Sequence, residues 1–144
     1  MGLFGMLNKK FGYSEENMIK SFNEILPAIG SQSLCSVGVS LKTKSLLKSK
    51  VIASGFAAIT NTNLLVVYTV IPVKEVAIYG YTAPKKLLIK EHMGNKVVES
   101  ELYNIRSQDF ESLILEIAPS LSGFPNQQSD MEYFISILES YIKE

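Results

Sequence analysis

The residues best suited to engage a ligand are the lysines of the stretch 42–50, KTKSLLKSK. Lys42, Lys44, Lys48 and Lys50 surround Leu46 and Leu47. Cationic side chains flanking an apolar tip are what a membrane-touching loop needs: charge for an anionic head group, leucine for the acyl boundary. Lys85 and Lys86 join the same candidate set. The stretch has no arginine to grip phosphate in a bidentate way, and lysine is common on solvated surfaces. The alternative is a solvated loop with Leu46 and Leu47 in an oligomer contact.

Other chemistry is sparse. His92 is the single histidine and Cys35 the single cysteine. A zinc site needs several nitrogen or sulfur ligands at close spacing, which this chain does not encode. A Cys–His nucleophile pair has no local signature here. There is no phosphate loop, dinucleotide fingerprint or nucleophile elbow. Glu99, Glu101, Asp109 and Glu111 are spread along edge-like segments and read as a solvated face, not a paired acid–base site. The expectation is a non-catalytic protein with no cofactor and no metal.

A chain of 144 residues with 47% hydrophobic content is one domain with a real core. No run reaches the roughly 18–20 apolar residues of a membrane span. In MGLFGMLNKKFG the lysine pair follows the apolar run, the reverse of a secretory signal, and Met6 stands where myristoylation wants Ser or Thr. One cysteine fits a reducing compartment. The expected location is cytoplasmic, with the inner face of the membrane as a peripheral site under the lipid reading. A formal net charge of zero hides a split: residues 1–96 hold 12 lysines against 5 acids (+7), and 97–144 hold 2 basic residues against 9 acids (−7). Such a chain can attract its own other end or a second copy of itself. A balanced total argues against broad nucleic-acid binding.

These residues need a scaffold, and 51–71, VIASGFAAITNTNLLVVYTVI, is its spine. Two runs rich in β-branched and aromatic residues flank Asn61-Thr62-Asn63, where Asn can take the left-handed backbone of a tight turn. Few charges lie on either face, so both sides are covered. Ala53, Gly55, Ala57 and Ala58 indicate close approach of another backbone, or a bend. A single buried helix over 52–59 is the competing reading. Residues 34–41 alternate as a first strand with Cys35 on the more apolar face. Further strands are expected at 73–81, 86–92, 96–105 and 111–118, with 96–105 as an edge. A helix over 108–117 competes with the last strand, where Leu113, Leu115 and Ile117 share a face.

Two helices flank the sheet. Ser14 caps the first, Glu15 and Glu16 suit its positive end, and Pro27 and Gly30 end or kink it. Its stripe is Met18, Ile19, Phe22, Ile25, Leu26 and Ile29. The second follows a loop at 119–128, with Ser129 and Glu132 as a capping box and a stripe of Met131, Phe134, Ile135, Leu138, Tyr141 and Ile142. Residues 1–12 are an apolar, Gly-punctuated segment that either anchors to a membrane or partner or packs as a tail.

The run Gly55-Phe56-Ala57-Ala58-Ile59-Thr60-Asn61-Thr62-Asn63-Leu64 resembles the hairpin signature of bacterial pleckstrin-homology-like (PH-like) domains. Thr60, Asn61 and Leu64 match; Thr62 and Asn63 stand where the family has Lys and Arg. Ile71-Pro72-Val73-Lys74-Glu75-Val76 is similar to the family's Ile-Pro-x-x-x-Ile. The resemblance implies an α+β, mostly β fold: a bent antiparallel sheet or partly open barrel of about seven strands, with a C-terminal helix plugging one end. It implies a tail and added helix at 1–30 and a PH-like domain at 31–144, packed as a single domain. It puts 42–50 in the loop between the first two strands, where lipid-binding relatives hold anionic head groups. The function expected is a binding or scaffold module acting through self-association or a protein partner; the alternative is a peripheral module on anionic lipid.

Overall fold

The computed structural model describes residues 12–43 and 50–143. Its architecture is α+β and mostly strand. Helix α1 (Glu15–Ala28) precedes β1 (Ser33–Thr43), β2 (Lys50–Thr60), β3 (Leu64–Ile71), β4 (Glu75–Gly80), β5 (Lys86–His92), β6 (Asn95–Asn104) and β7 (Asp109–Ile117), and helix α2 (Gln127–Glu139) follows. Every pairing is antiparallel, in the order β4-β3-β2-β1-β7-β6-β5. A further pairing of β4 with β6, Tyr79 opposite Asn104, closes six strands into a barrel and leaves β5 outside it. The expected partly open barrel is therefore closed. The expected edge, 96–105, is bonded to β4, β5 and β7; its mixed polarity comes from having one face in the barrel and one in water.

The hairpin at 51–71 forms as strands, with Asn63 at φ 65° in its turn. The Thr60 hydroxyl accepts from the Thr62 and Leu64 amides and holds that turn. Alternation sends Ala57, Ile59, Leu65 and Val67 into the barrel, and Phe56, Ala58 and Val66 to its outer face. Both faces are covered. Inside lies α2 with Met131, Phe134, Ile135 and Leu138; outside lies α1 with Met18, Phe22 and Leu26. Gly55 is the close approach anticipated from the small residues: a side chain there would run into the Tyr68 carbonyl and lie 2.5 Å from the Thr69 Cα. Residues 109–117 are strand, with Leu113, Leu115 and Ile117 inward.

Ser14 caps α1 as expected, its hydroxyl accepting from the Asn17 amide. Pro27 sits within the last turn; the helix ends in a left-handed Gly30 (φ 69°), with Ser31 donating to Leu26 and Gly30 to Pro27. The Ser129/Glu132 capping box does not form. Helix α2 starts three residues earlier, and its N-cap Asn126 receives the Glu15 carboxylate: the Asn126 amide donates to Oε1 at 3.0 Å and its Nδ2 to Oε2 at 2.9 Å. A carboxylate at a helix N-terminus suits the helix dipole. The apolar stripe of α2 stops at Tyr141, and Ile142 is exposed.

Gln127 ties α2 to the barrel. It is buried, accepts from the Gly38 amide at 3.0 Å, and donates to the Gly38 and Ala118 carbonyls at 2.8 and 3.1 Å. Gln127→Leu keeps the volume but leaves three backbone groups unpaired, each worth about 1–3 kcal/mol when buried. Urea denaturation should show a loss of roughly 2–4 kcal/mol at unchanged slope. An unaltered midpoint would mean that α2 is held by its apolar stripe alone.

Candidate functional site

Along the barrel lining the chemistry changes from one end to the other. Near α2 the inward positions are apolar but for Ser100, whose hydroxyl donates to the Leu113 carbonyl. Two residues further along β3, β4, β6 and β7 they turn polar: Val67 gives way to Thr69, Ala77 to Glu75, Leu102 to Asn104 and Leu113 to Glu111. These groups, with Leu41, Tyr79 and Arg106, line a cavity of about 320 Å³ at the unplugged mouth. The rim is built by local hydrogen bonds. Thr69 donates to the Val73 and Glu75 carbonyls and shapes the β3–β4 turn. Asn104 Oδ1 accepts from the Arg106 and Ser107 amides, and its Nδ2 donates to Glu111 Oε1 at 2.8 Å. Ser107 donates to Glu111 Oε2 at 2.9 Å. The Arg106 guanidinium donates to the Val76 carbonyl at 3.4 Å. Burial pushes the Tyr79 hydroxyl pKa up, and the neighbouring Glu111 and Glu75 carboxylates add to the rise.

Glu111 was expected on a solvated face; it is instead an inward residue of this mouth. The remaining lining was missed. Its signal is present in the sequence as a polar residue two places beyond an inward apolar one, but it is recognisable only once strand direction and barrel closure are known.

Among the described residues, Lys42, Lys50, Lys85 and Lys86 do not line one common site. Lys42 and Lys50 are strand residues, at the end of β1 and the start of β2, while Lys44, Leu46, Leu47 and Lys48, like the segment 1–11, lie outside the described residues. Lys42 pairs with Glu116 at 2.9 Å. Lys86 and Lys90 share Glu99, at 3.8 and 3.3 Å. Glu99 is therefore a paired carboxylate rather than part of a solvated acidic face. These pairs border an outer groove of about 210 Å³ that His92, Val97 and Ile114 also line. Lys50 and Lys85 are exposed and do not line it. The charge split is thus used within the molecule: lysines before position 97 meet acids after it across β1–β7 and β5–β6. Glu91 has its pKa lowered by the hydrogen bond and charge of Lys96.

His92 and Cys35 are separated by the barrel wall. His92 is exposed on the outer groove, whereas Cys35 is buried in the interior core. Burial pushes the Cys35 thiol up to about 12, with the Asp130 charge adding to the rise. Among the described residues no three His, Cys, Asp or Glu side chains gather as a metal site, and no helix is long and apolar enough to cross a membrane.

The remaining surface feature is the outer edge of β5. The Leu87 amide and carbonyl bond to Lys143 at 2.8 and 2.9 Å. Ile89 and Glu91, two and four places on, turn their backbone groups the same way and meet no strand among the described residues. No protein family, no curated protein and no solved structure matches the chain.

The Cys35 environment has a consequence in alkali. The folded state keeps the thiol proton, while the unfolded chain releases it from about pH 9, so stability is present below that pH and is lost as pH rises towards 12. Denaturation at about pH 7 and pH 10 should show wild type losing on the order of 1 kcal/mol more than Cys35→Ala. Equal losses would show that the thiol titrates freely in the folded protein.

Proposed function

We propose that this protein is a non-catalytic, PH-like binding module that takes up an extended segment of a protein partner along β5. The observation that carries the reading is the edge at Ile89 and Glu91, unpaired among the described residues and outside a barrel that closes without β5. Unpaired edge groups are a template for strand addition, and one residue, Lys143, already bridges to this edge at Leu87. A different chain suits the edge better than a second copy. The two-fold antiparallel register that engages both free residues would set Lys90 against its own copy, and directly opposed like charges are destabilising. A partner strand with an acidic residue opposite Lys90 has no such cost.

The probe is a synthetic eight-residue peptide alternating Thr or Val with Glu, titrated into the 15N-labelled chain. The Ile89 and Glu91 amides should shift and gain exchange protection, with binding weakened by salt. Ile89→Pro, which removes an edge donor while leaving the β5–β6 ladder its bonds, should abolish the effect. Shifts centred elsewhere, or unchanged binding by the proline variant, would remove the reading.

A second reading is favoured by one observation. Val51 and Ile52 at the start of β2 and Val73 in the β3–β4 turn are exposed, beside Lys50 and Lys74; the Ser54–Ile71 pairing brings these segments to the same end of the barrel. Apolar side chains among lysines suit contact with an anionic bilayer. Co-sedimentation with phosphatidylserine vesicles should then be strong for wild type and weak for Val73→Glu. Failure of wild type to sediment, or equal sedimentation of the variant, would exclude it.

A further inference from the structure

We infer that residues 141–143, which follow α2, are a built-in competitor for the β5 edge: they sit where a partner strand would complete its ladder, and that strand displaces them on binding. The inference rests on the edge reading above and adds its regulation. It begins with one antiparallel residue pair outside the sheet. The Leu87 amide donates to the Lys143 carbonyl at 2.8 Å, and the Lys143 amide donates to the Leu87 carbonyl at 2.9 Å. Both outward backbone groups of Leu87 are thereby occupied. The bridge is isolated. A ladder continuing from it would set Tyr141 opposite Ile89. Tyr141 is held elsewhere: its amide donates to Leu138 at the end of α2, and its ring meets the buried Tyr81 edge-on with centroids 5.4 Å apart. The segment therefore has a firm anchor in Tyr141 and a light one in the two bonds of Lys143. Ile142 and Lys143 are exposed, so their side chains add little burial to the bridge.

Competition follows from register. Leu87, Ile89 and Glu91 turn their backbone groups to the same side of β5. A strand laid antiparallel along Glu91 and Ile89 reaches Leu87 two residues further on and meets Lys143 there. That strand is already ordered by its first two pairs, so a third fixes few additional dihedrals. The competing segment has to order both Ile142 and Lys143 for a single pair. The longer ladder therefore takes Leu87, Lys143 leaves, and Tyr141 stays on Tyr81. The Leu87 side chain lies in the barrel core, and the exchange at its backbone leaves that packing as it is. Until a partner arrives, one of the three outward positions of β5 is covered, which shortens the edge open to adventitious strands.

The test titrates the eight-residue peptide of alternating Thr or Val and Glu into the whole 15N-labelled chain, as wild type, Lys143→Ala and Lys143→Pro. Both variants lose the same charge, and only proline lacks the amide hydrogen that the Leu87 carbonyl accepts. At saturation of wild type, the Leu87 amide should keep its exchange protection while the Lys143 amide loses it. Lys143→Pro should bind the peptide about fivefold more tightly than Lys143→Ala, the net worth of one hydrogen bond. Thermal midpoints report separately on the folding of the variants, and the wild-type exchange pattern decides the matter without them. A Lys143 amide still protected at saturation, or one Kd for both variants, overturns the inference; shifts at Ile89 and Glu91 in that case leave the edge reading standing. A peptide that binds none of the three forms overturns both.

Discussion

The structure depends on one strand being buried twice. From Phe56 to Thr60, β2 has no face towards water: Ala57 and Ile59 close the barrel interior, Phe56 and Ala58 lie under α1. A strand of this kind cannot be satisfied by a closed sheet alone, because closure covers only the inner side. The outer side is completed by segments distant in sequence. Phe56 collects Tyr13, Phe22, Tyr68 and Phe124 around it, with ring centroids 5.8–6.4 Å away and the Tyr13 ring stacked at 11°. Helix α1 is for this reason a wall of the domain and not an appendage to it. The Glu15–Asn126 link makes the same point in polar terms, since the first turn of α1 supplies the cap that α2 lacks.

Once α1 occupies the outer face of β2 and β3, and α2 the interior at one end, the places left for recognition are few. The opposite mouth stays open, and the β1–β7–β6–β5 wall faces solvent. These two regions carry different electrostatics. On the outer wall, Glu116 and Glu99 are matched by Lys42, Lys86 and Lys90. At the mouth, Glu75 and Glu111 form no ion pair among the described residues. A chain with no net charge thus carries a wall whose charges are matched in pairs, a distribution invisible in its totals.

The sequence was most informative where local patterns decide structure. The Asn61–Asn63 turn, the Ser14 cap, the inward set Leu113, Leu115 and Ile117, and the two-sided burial of β2 all follow from residue type and spacing. It was least informative where a partner comes from far along the chain. The competing cap at Ser129 loses because Glu15, 111 residues away, reaches Asn126 first. The strand 96–105 looked like an edge because its alternation is interrupted by charge, yet the Tyr79–Asn104 pairing that closes the barrel leaves no trace in either segment. Lys42 looked like a loop residue because Lys and Ser dominate its neighbourhood; it is held in β1 by Glu116, again through a non-local pairing.

The same limit explains why the mouth of the barrel has no signature in the sequence. A cluster of lysines is conspicuous in a linear reading, whereas Thr69, Glu75, Tyr79, Asn104 and Glu111 come from four strands and form no motif. What unites them is parity: each lies at an inward position, on the side of the barrel that α2 does not reach. Packing alone gives no reason for polar residues there. Apolar side chains at those positions would extend the core and plug the mouth, at a gain of about 25 cal/mol for every Å² of apolar surface removed from water. A lining that forgoes that gain serves the turns instead: Thr69 donates into the β3–β4 turn and Asn104 accepts from the β6–β7 turn.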